Sequence, residues 1–362
     1  MADILGNIGG IMQALRSAPY DCAIITSPAN RLYATGFQSS DGLALVTRES
    51  AWFFTDSRYF EAASAAISDA EVVLVSGRSG YTGAVKAIVE SRGFASVGFE
   101  DEYMTYSDHG QWRESLGANI RLCEASEMLT ALRSVKSGAE LDAMKRAQRV
   151  AERSFEQILP LISAEITEKE LAAELIYRFM LNGAEDKSFD PIVVSGARSS
   201  MPHGVPSDSK LRPGFLTIDF GAKLGGWCSD TTRTLCLGEP TDEMRRVYDT
   251  VLRAQERGIS AARAGATGRD VDAAAREEIA RAGYGEYFGH GFGHGLGLEI
   301  HEQPNAAHAN DKPLPVGAVI SAEPGIYIPG RFGVRIEDVL YITADGNENI
   351  TGLPKELTVL YI

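Results

Sequence analysis

Residues 290–297 read HGFGHGLG, a short run in which four glycines alternate with two histidines, a phenylalanine and a leucine. Glycine lets a backbone approach other groups closely, so such a run suits the wall of a binding site. A nucleotide-binding P-loop would continue into a Lys-Ser or Lys-Thr pair, which this run lacks. A kinase or a dehydrogenase is therefore disfavoured, and close packing around a metal ion and a substrate is the simpler explanation.

Four acidic residues occupy short runs on either side of this loop. The runs TIDFG (217–221) and GWCSDTTRT (226–234) precede it, and SAEPG (321–325) and GVRIED (333–338) follow it. Four carboxylates and one imidazole make a hard, oxygen-rich donor set, which suits manganese or cobalt better than a structural zinc site built from thiolates. The five candidate metal ligands are Asp219, Asp230, His294, Glu323 and Glu337.

Two metal ions suit this donor set better than one. Two divalent ions are nearly neutralised by four carboxylates and a hydroxide, whereas the same carboxylates around one ion would repel each other. Asp219 and Glu337 lie in apolar, strand-like segments, where an unpaired carboxylate is costly. The residues therefore predict a two-metal hydrolase.

The composition restricts the class of protein. The chain has 362 residues, of which 44% are hydrophobic and 23% charged, so two ordinary globular domains are expected. A net charge of −14 argues against a general nucleic-acid binder or a binder of anionic membranes. Four cysteines without a CxxC pair indicate no disulfide framework, and no signal sequence or long apolar span is visible. A cytoplasmic location is expected.

The first third of the chain alternates apolar strands with helical stretches, which favours an α/β domain at residues 1–130. A linker is predicted at 131–138. The predicted strands of this domain are 22–26, 42–47, 51–55, 72–75 and 96–99, and its predicted helices are 57–67, 81–92 and 106–116.

A second domain is predicted at 139–362, with helices covering a curved, mostly antiparallel sheet. The fold class is therefore α/β, with α+β character in this second domain. Its predicted helices are 141–159, 168–181, 242–264 and 268–282, and its predicted strands are 191–195, 215–220, 227–237, 318–322, 325–328, 333–342 and 357–362.

In order and spacing, the runs around the five ligands resemble those of the pita-bread metallopeptidases, family M24. Within that family they are most similar to the prolidase and aminopeptidase P branch. The segments NRLYATGF (30–37) and TDSRYFEAA (55–63) are similar to runs of the creatinase-like amino-terminal domain of that branch. The resemblance implies that domain, followed by a pita-bread catalytic domain.

The resemblance also implies an activity, which is hydrolysis of the bond between an amino-terminal residue and proline by a hydroxide bridging two metal ions. Mn²⁺ is the favoured ion, and Co²⁺ or Zn²⁺ are alternatives. The expected substrate is an Xaa-Pro dipeptide or short peptide, without nucleic acid or membrane as a partner. A homodimer is implied by the family alone.

Roles for the ligands follow from the same resemblance. Asp219 would chelate the first ion, and Asp230 and Glu337 would bridge the pair. His294 and Glu323 would complete the second ion. Glu323 would also act as general base, because a metal-bound carboxylate is fixed close to the reacting water.

Three further histidines fall in the motif runs. His203, in the run SSMPHG (199–204), is similar to a histidine of the family that hydrogen-bonds the substrate and helps to transfer protons. His301 would stabilise the tetrahedral intermediate or the leaving nitrogen. His290 would contact the residue that follows the scissile bond. Arg335 would orient Glu337 or bind a substrate carboxylate, and a salt bridge to an acid of the site explains it equally well.

Several alternatives stay open from the sequence. The enzyme could be a strict dipeptidase, which needs a basic group for the substrate's free carboxylate, or an aminopeptidase acting on longer chains. Arg335 and the segment 330–332 are candidates for that basic group. Another amidohydrolase, such as a creatine-type enzyme that works without metal, is disfavoured by the five intact ligands. The same ligands disfavour a pita-bread protein that only binds a partner.

Overall fold

The computed structural model describes residues 6–76 and 78–361 and divides into two compact units, Met1–Arg133 and Ser134–Ile362. Residues 1–5, 77 and 362 of the predicted domain ranges lie outside the described residues. The bounds of the predicted linker, 131–138, stay a prediction. No helix in the described part of the chain is long and apolar enough to span a bilayer.

The first unit is a six-stranded mixed sheet with helices, in the order β4-β3-β2-β1-β5-β6. β2 pairs antiparallel with both β1 and β3, and the other neighbours are parallel. Its helices are α1 (Ile8–Leu15), α2 (Pro28–Thr35), α3 (Phe60–Ala66), α4 (Arg78–Ser91), α5 (Tyr106–Leu116) and α6 (Ser126–Arg133). Its strands are β1 (Cys22–Ile25), β2 (Leu43–Thr47), β3 (Ala51–Thr55), β4 (Glu71–Leu74), β5 (Ser96–Phe99) and β6 (Arg121–Glu124).

Three helices of this unit, α1, α2 and α6, and the strand β6 were not predicted. In α1 two glycines lower the local helix propensity, and burial of Ile8, Ile11 and Leu15 makes the segment helical. In α2 the start is well marked, because Ser27 caps the helix by accepting from the backbone of Asn30. Its sequence lacks a clean apolar stripe, so periodicity alone did not reveal it.

Four helices of the second unit lie close to their predicted positions: α7 (Gly138–Ile158), α8 (Glu168–Leu181), α9 (Asp242–Ala261) and α10 (Gly268–Arg281). Each begins after a serine or threonine whose side chain accepts a backbone hydrogen bond from the first turn. Capping boxes close the starts of α7, α8 and α10. These local signals explain why the helices were predictable.

The strands of the second unit form four sheets, ordered β11-β10-β7, β20-β12-β9-β8, β14-β13-β15-β18-β19 and β16-β17. All the described pairings are antiparallel except that of β12 with β20, in agreement with the predicted mostly antiparallel arrangement. The strands are β7 (Asp186–Lys187), β8 (Ile192–Ser195), β9 (Gly214–Phe220), β10 (Ala222–Leu224), β11 (Trp227–Cys228), β12 (Thr231–Leu237), β13 (Gly293–Gly295), β14 (Glu302–Ala306), β15 (Val319–Ala322), β16 (Gly325–Ile328), β17 (Phe332–Arg335), β18 (Asp338–Ile342), β19 (Asn347–Asn349) and β20 (Val359–Leu360).

Helices cover these sheets through two apolar clusters. α7 and α8 pack on β8, β9 and β12, where Phe155 and Phe220 stack with ring centroids 4.9 Å apart. α9 and α10 pack on β15 to β18, around Val251, Ile279 and Ile320. The carboxylate-bearing strands are therefore held from behind by packed helices.

Two of the predicted strands are interrupted at a candidate ligand. The predicted strand 227–237 breaks at Asp230, between β11 and β12, and the predicted strand 333–342 breaks at Glu337, between β17 and β18. At the second break the backbone N–H of Glu337 donates to Thr232 of β12, in a different sheet, at 3.1 Å. Of the predicted strand 357–362, only β20 forms among the described residues, and residue 362 lies outside them.

Candidate metal centre

All the candidate site residues line one cavity of the second unit, which has a volume of about 830 Å³. Its wall also contains apolar side chains from α8 and from the segment before β8. The sequence-predicted residues that line it are Asp219, Asp230, His294, Glu323, Glu337, His203, His290, His301 and Arg335.

Two neighbouring strands position the two aspartates. Asp219 lies near the end of β9, directly opposite Thr232 of β12. Asp230 lies immediately before β12, and it lines the same cavity as Asp219. Both aspartates are buried. The pairing of β9 with β12 therefore brings their carboxylates to one wall of the cavity.

His294 supplies a ring nitrogen in the middle of the acids. Its Nδ1 lies 3.1 Å from the carbonyl of Gly295, which can only accept, so Nδ1 carries the proton of the neutral ring. The lone pair of Nε2 is then available for a metal ion. Nε2 lies 3.2 Å from Glu323 and 3.4 Å from Asp230. Ligand atoms of Asp230, His294 and Glu337 all lie within 4.8 Å of one another.

Hydroxyl groups hold the two glutamates. Ser321 donates to Oε1 of Glu323 at 2.9 Å and accepts from the backbone of His294 at 3.0 Å. Thr232 donates to Oε2 of Glu337 at 2.8 Å. In both cases one carboxylate oxygen is fixed by a neutral donor, which sets the orientation of the group.

Burial and mutual repulsion act strongly on three of the acids. Burial raises the pKa of Asp219, Asp230 and Glu337, and the neighbouring carboxylates raise it further. For Asp219 the charge of Arg335 opposes part of this rise. Such raised pKa values show that the site holds more negative charge than its own cations balance.

The remaining acid and the imidazole stabilise each other's charge. For Glu323 burial alone would raise the pKa, but the hydrogen bond and charge of His294 outweigh it and lower the pKa to about 2. Burial likewise disfavours a charged His294, yet Glu323 and then Glu337 raise its pKa to about 9. Each of these two groups therefore favours the charged form of the other.

Divalent cations fit these residues. Oδ1 of Asp219 and Oε1 of Glu337 are buried and have no hydrogen-bond partner among the described residues. Buried carboxylate oxygens without partners are costly unless a cation satisfies them. The donor set of four carboxylates and one imidazole matches the ligand preference of Mn²⁺ and Co²⁺.

Arg335 contacts Asp219 and does not contact Glu337 through its guanidinium. Nη2 lies 2.6 Å from Oδ2 of Asp219, and Nε donates to Thr232 at 3.0 Å. Nη1 donates to the hydroxyl of Tyr327 at 2.8 Å and to the carbonyl of Pro202 at 3.2 Å. Of the alternatives left by the sequence, this geometry matches a salt bridge to an acid of the site.

The three further histidines lie on the cavity wall in different surroundings. His290 binds the carbonyl of Gly291 through Nδ1 at 2.8 Å and the hydroxyl of Tyr327 through Nε2 at 3.0 Å, and burial lowers its pKa. His301 is exposed, and its ring packs edge-on against His294 with centroids 4.4 Å apart. His203 is exposed in the loop that follows the 3₁₀ turn 196–200.

Each of the two units matches the model of a known protein family. Residues 142–344 match the model of Metallopeptidase family M24, and residues 8–135 match that of the Creatinase/Prolidase N-terminal domain. The chain belongs to metallopeptidase family M24. The predicted family and fold are confirmed, with a creatinase-like domain followed by a pita-bread domain, and the protein is an enzyme of that family.

Solved structures and a curated relative agree with the M24 assignment over almost the whole chain. An Xaa-Pro dipeptidase from Bacillus anthracis is 41% identical, with a TM-score of 0.93 over 98% of this chain and 100% of its own. An X-Pro aminopeptidase from Thermotoga maritima is 37% identical, with a TM-score of 0.90 over 96% and 100% of the two chains. An Xaa-Pro dipeptidase from Pyrococcus horikoshii is 34% identical over 96% of this chain and 97% of its own.

Three polar residues of the M24 site were not predicted from the sequence. Thr232 and Ser321 each hold a glutamate, and Tyr327 joins His290 to Arg335. Thr232 and Ser321 stand two positions from Asp230 and Glu323, and strand alternation would have placed each pair on one face. Tyr327 had no comparable local signal, because its role depends on the pairing of β16 with β17.

Proposed function

We propose that this M24 enzyme removes an amino-terminal residue that is followed by proline, with two divalent metal ions in its site. The main observation behind this proposal is that ligand atoms of Asp230, His294 and Glu337 lie within 4.8 Å of one another. Glu323 lies beside them, 3.2 Å from His294. The names of the M24 relatives, which are Xaa-Pro dipeptidases and an X-Pro aminopeptidase, support the substrate class.

The residues that would hold the ions are the five predicted ligands. When bound, the ions would activate a water molecule as the nucleophile and polarise the substrate carbonyl. Manganese is proposed ahead of cobalt or zinc, because four of the five donors are carboxylates. Asp219 and Glu337 each have one oxygen held by a side chain and one that has no partner in the described part of the chain and could bind a metal ion.

The protein side chains would move the protons of the reaction. Hydrolysis breaks the C–N bond, adds OH to the acyl carbon and places a proton on the proline nitrogen. We assign the general base to Glu323, whose carboxylate is oriented by Ser321 and lies beside His294. We assign delivery of the proton to the leaving nitrogen to His203 and His301, which line the cavity and are exposed.

Selection of proline would depend on shape. The nitrogen of an Xaa-Pro bond carries no hydrogen, and the ring fixes the backbone angle. Apolar side chains of Phe189, Pro191 and Ile192 line the cavity, and the ring of His290 lines the same cavity. A wall of this kind binds a ring without requiring an N–H donor from the substrate.

The test uses the full-length protein, stripped of metal and reloaded with Mn²⁺. We expect two manganese ions per chain by elemental analysis, and cleavage of Ala-Pro-Ala but not of Ala-Ala-Ala. Asp230→Ala should lose both metal and activity, whereas Asp345→Ala, at an exposed acid, should keep both. One ion per chain would refute the dinuclear site, and cleavage of Ala-Ala-Ala as readily as of Ala-Pro-Ala would refute the proline specificity.

Two further properties, the oligomeric state and the cellular location, stay predictions. A homodimer is expected, which light scattering on the purified protein would test. A cytoplasmic location is supported by the four cysteines, all of which are free thiols.

A further inference from the structure

We propose that the cavity acts on Xaa-Pro peptides of three or more residues and turns over free Xaa-Pro dipeptides poorly. This inference rests on the proposed function and adds the length of the substrate. It concerns the group that follows proline, which is a carboxylate in a dipeptide and a neutral amide in a longer peptide.

The carboxylate of a dipeptide would be carried into the site. It belongs to the proline itself, and consecutive residues are only about 3.8 Å apart between Cα atoms. A carboxylate so close to the scissile bond loses its bound water when the substrate enters the cavity. Its burial is unfavourable unless a cationic group pairs with it.

Arg335 is a buried cation of the cavity, and most of its donors are already used. Its guanidinium donates four hydrogen bonds, to Asp219, Thr232, Tyr327 and the carbonyl of Pro202. A guanidinium has five N–H donors, so most of its capacity is taken. Its charge is balanced by Asp219 at 2.6 Å, and its side chain is 4% exposed. A substrate carboxylate would have to break this network to be bound.

The other cationic candidates lie away from the buried acids. Among the described residues, Lys169 is the one further lysine or arginine that lines the cavity. It pairs with Asp208 at 3.3 Å, and its side chain is 66% exposed, so it marks the outer rim. Arg331, a candidate from the sequence, pairs with Glu243 and is outside the set of lining residues.

The cavity has room for more than two residues. Its volume of about 830 Å³ lies near the upper end of the range for sites that enclose drug-sized ligands. Ala172, Ala173 and Ile176 of α8 extend the wall towards Lys169 at the start of that helix. A peptide chain leaving proline can therefore follow an apolar wall to the exposed rim, where its carboxylate stays hydrated.

The experiment compares Ala-Pro, its carboxyl-terminal amide Ala-Pro-NH₂, and Ala-Pro-Ala with the Mn²⁺-loaded full chain. The amide differs from the dipeptide only in charge, so it isolates the carboxylate. We expect kcat/KM for the amide and the tripeptide to exceed that for the dipeptide by roughly tenfold or more, chiefly through KM. Acetyl-Ala-Pro-Ala is the control for the free amino terminus.

The outcomes separate this inference from the function on which it rests. If Ala-Pro is cleaved as well as its amide or better, a group such as His203 or His301 binds the carboxylate, and the inference is wrong while the Xaa-Pro activity stands. If none of the three substrates is cleaved, the proposed function itself fails.

Discussion

Arg335 and Asp219 form a buried ion pair, with Nη2 of the arginine 2.6 Å from Oδ2 of the aspartate. The pair occupies one oxygen of Asp219, and Oδ1 has no hydrogen-bond partner within residues 6–76 and 78–361. Arg335 thus fixes the orientation of a candidate ligand without blocking it. The same guanidinium binds Thr232, which holds Glu337, so one side chain organises acids on both sides of the site.

The first prediction concerns this ion pair. Arg335→Met would leave the charge of Asp219 buried without its partner, and the metal-free protein should lose about 3–5 kcal/mol of unfolding free energy. Tyr327→Phe keeps the ion pair, removes one hydrogen bond to the same guanidinium and one to His290, and should cost about 1–3 kcal/mol. Urea unfolding of the metal-free proteins measures both values. Equal losses in the two variants would contradict a dominant role for the pair.

The second prediction concerns the pH dependence of the metal-free protein. Burial, and then the charge of Asp230, raises the pKa of Glu337 above the value of about 4.3 for an unfolded glutamate. The folded chain then holds a proton that the unfolded chain releases, so this contribution to stability is lost as the pH rises. Metal-free Glu337→Gln should therefore gain stability relative to the wild type between roughly pH 5 and pH 7, by at most about 1.4 kcal/mol per pH unit.

Thermal unfolding at several pH values tests this second prediction. Asp345→Asn, at an exposed acid, is the matched control and should follow the wild type at every pH. A difference between Glu337→Gln and the wild type that is constant with pH would show that Glu337 is ionised throughout.

The third prediction concerns a buried ion pair beside His301. Lys136, just before α7, lies 3.2 Å from Glu302, and their side chains are 1% and 5% exposed. Lys136→Met removes the ammonium that neutralises Glu302 and should cost about 3–5 kcal/mol, whereas the double variant with Glu302→Gln should recover much of that loss. Denaturant unfolding measures the cycle. Additive losses in the double variant would show that the two charges do not interact.

The fourth prediction concerns the packing of α9 against the glycine-rich run 290–297, which contains Phe292 and His294. A Cβ atom on Gly258 would lie 2.1 Å from the ring of Phe292, whose carbonyl accepts from the backbone of Glu323 at 2.8 Å. Gly258→Ala should therefore cost about 1–3 kcal/mol and weaken Mn²⁺ binding measured by calorimetry. Gly83→Ala in α4, where no atom is close, should instead gain up to about 1 kcal/mol. Unchanged metal binding in Gly258→Ala would separate this packing from the site.

Much of the fold could be predicted because its signals are local. The helices α7 to α10 begin at serine or threonine caps and carry regular apolar stripes, and both features depend on a few neighbouring residues. The breaks at Asp230 and Glu337 could not be predicted in this way. Glu337 leaves its strand because its backbone bonds to Thr232, more than a hundred residues away in the chain.

The sequence by itself determined the family, the two-domain order and the nine candidate site residues, because the runs that carry them are contiguous and their spacing is specific. Only the tertiary structure decided which acid Arg335 contacts, since a guanidinium binds whichever carboxylate the strand pairing brings to it. It likewise decided that Arg331 pairs with Glu243. Contacts between distant segments depend on how sheets and helices pack, and no local pattern of residues encodes them.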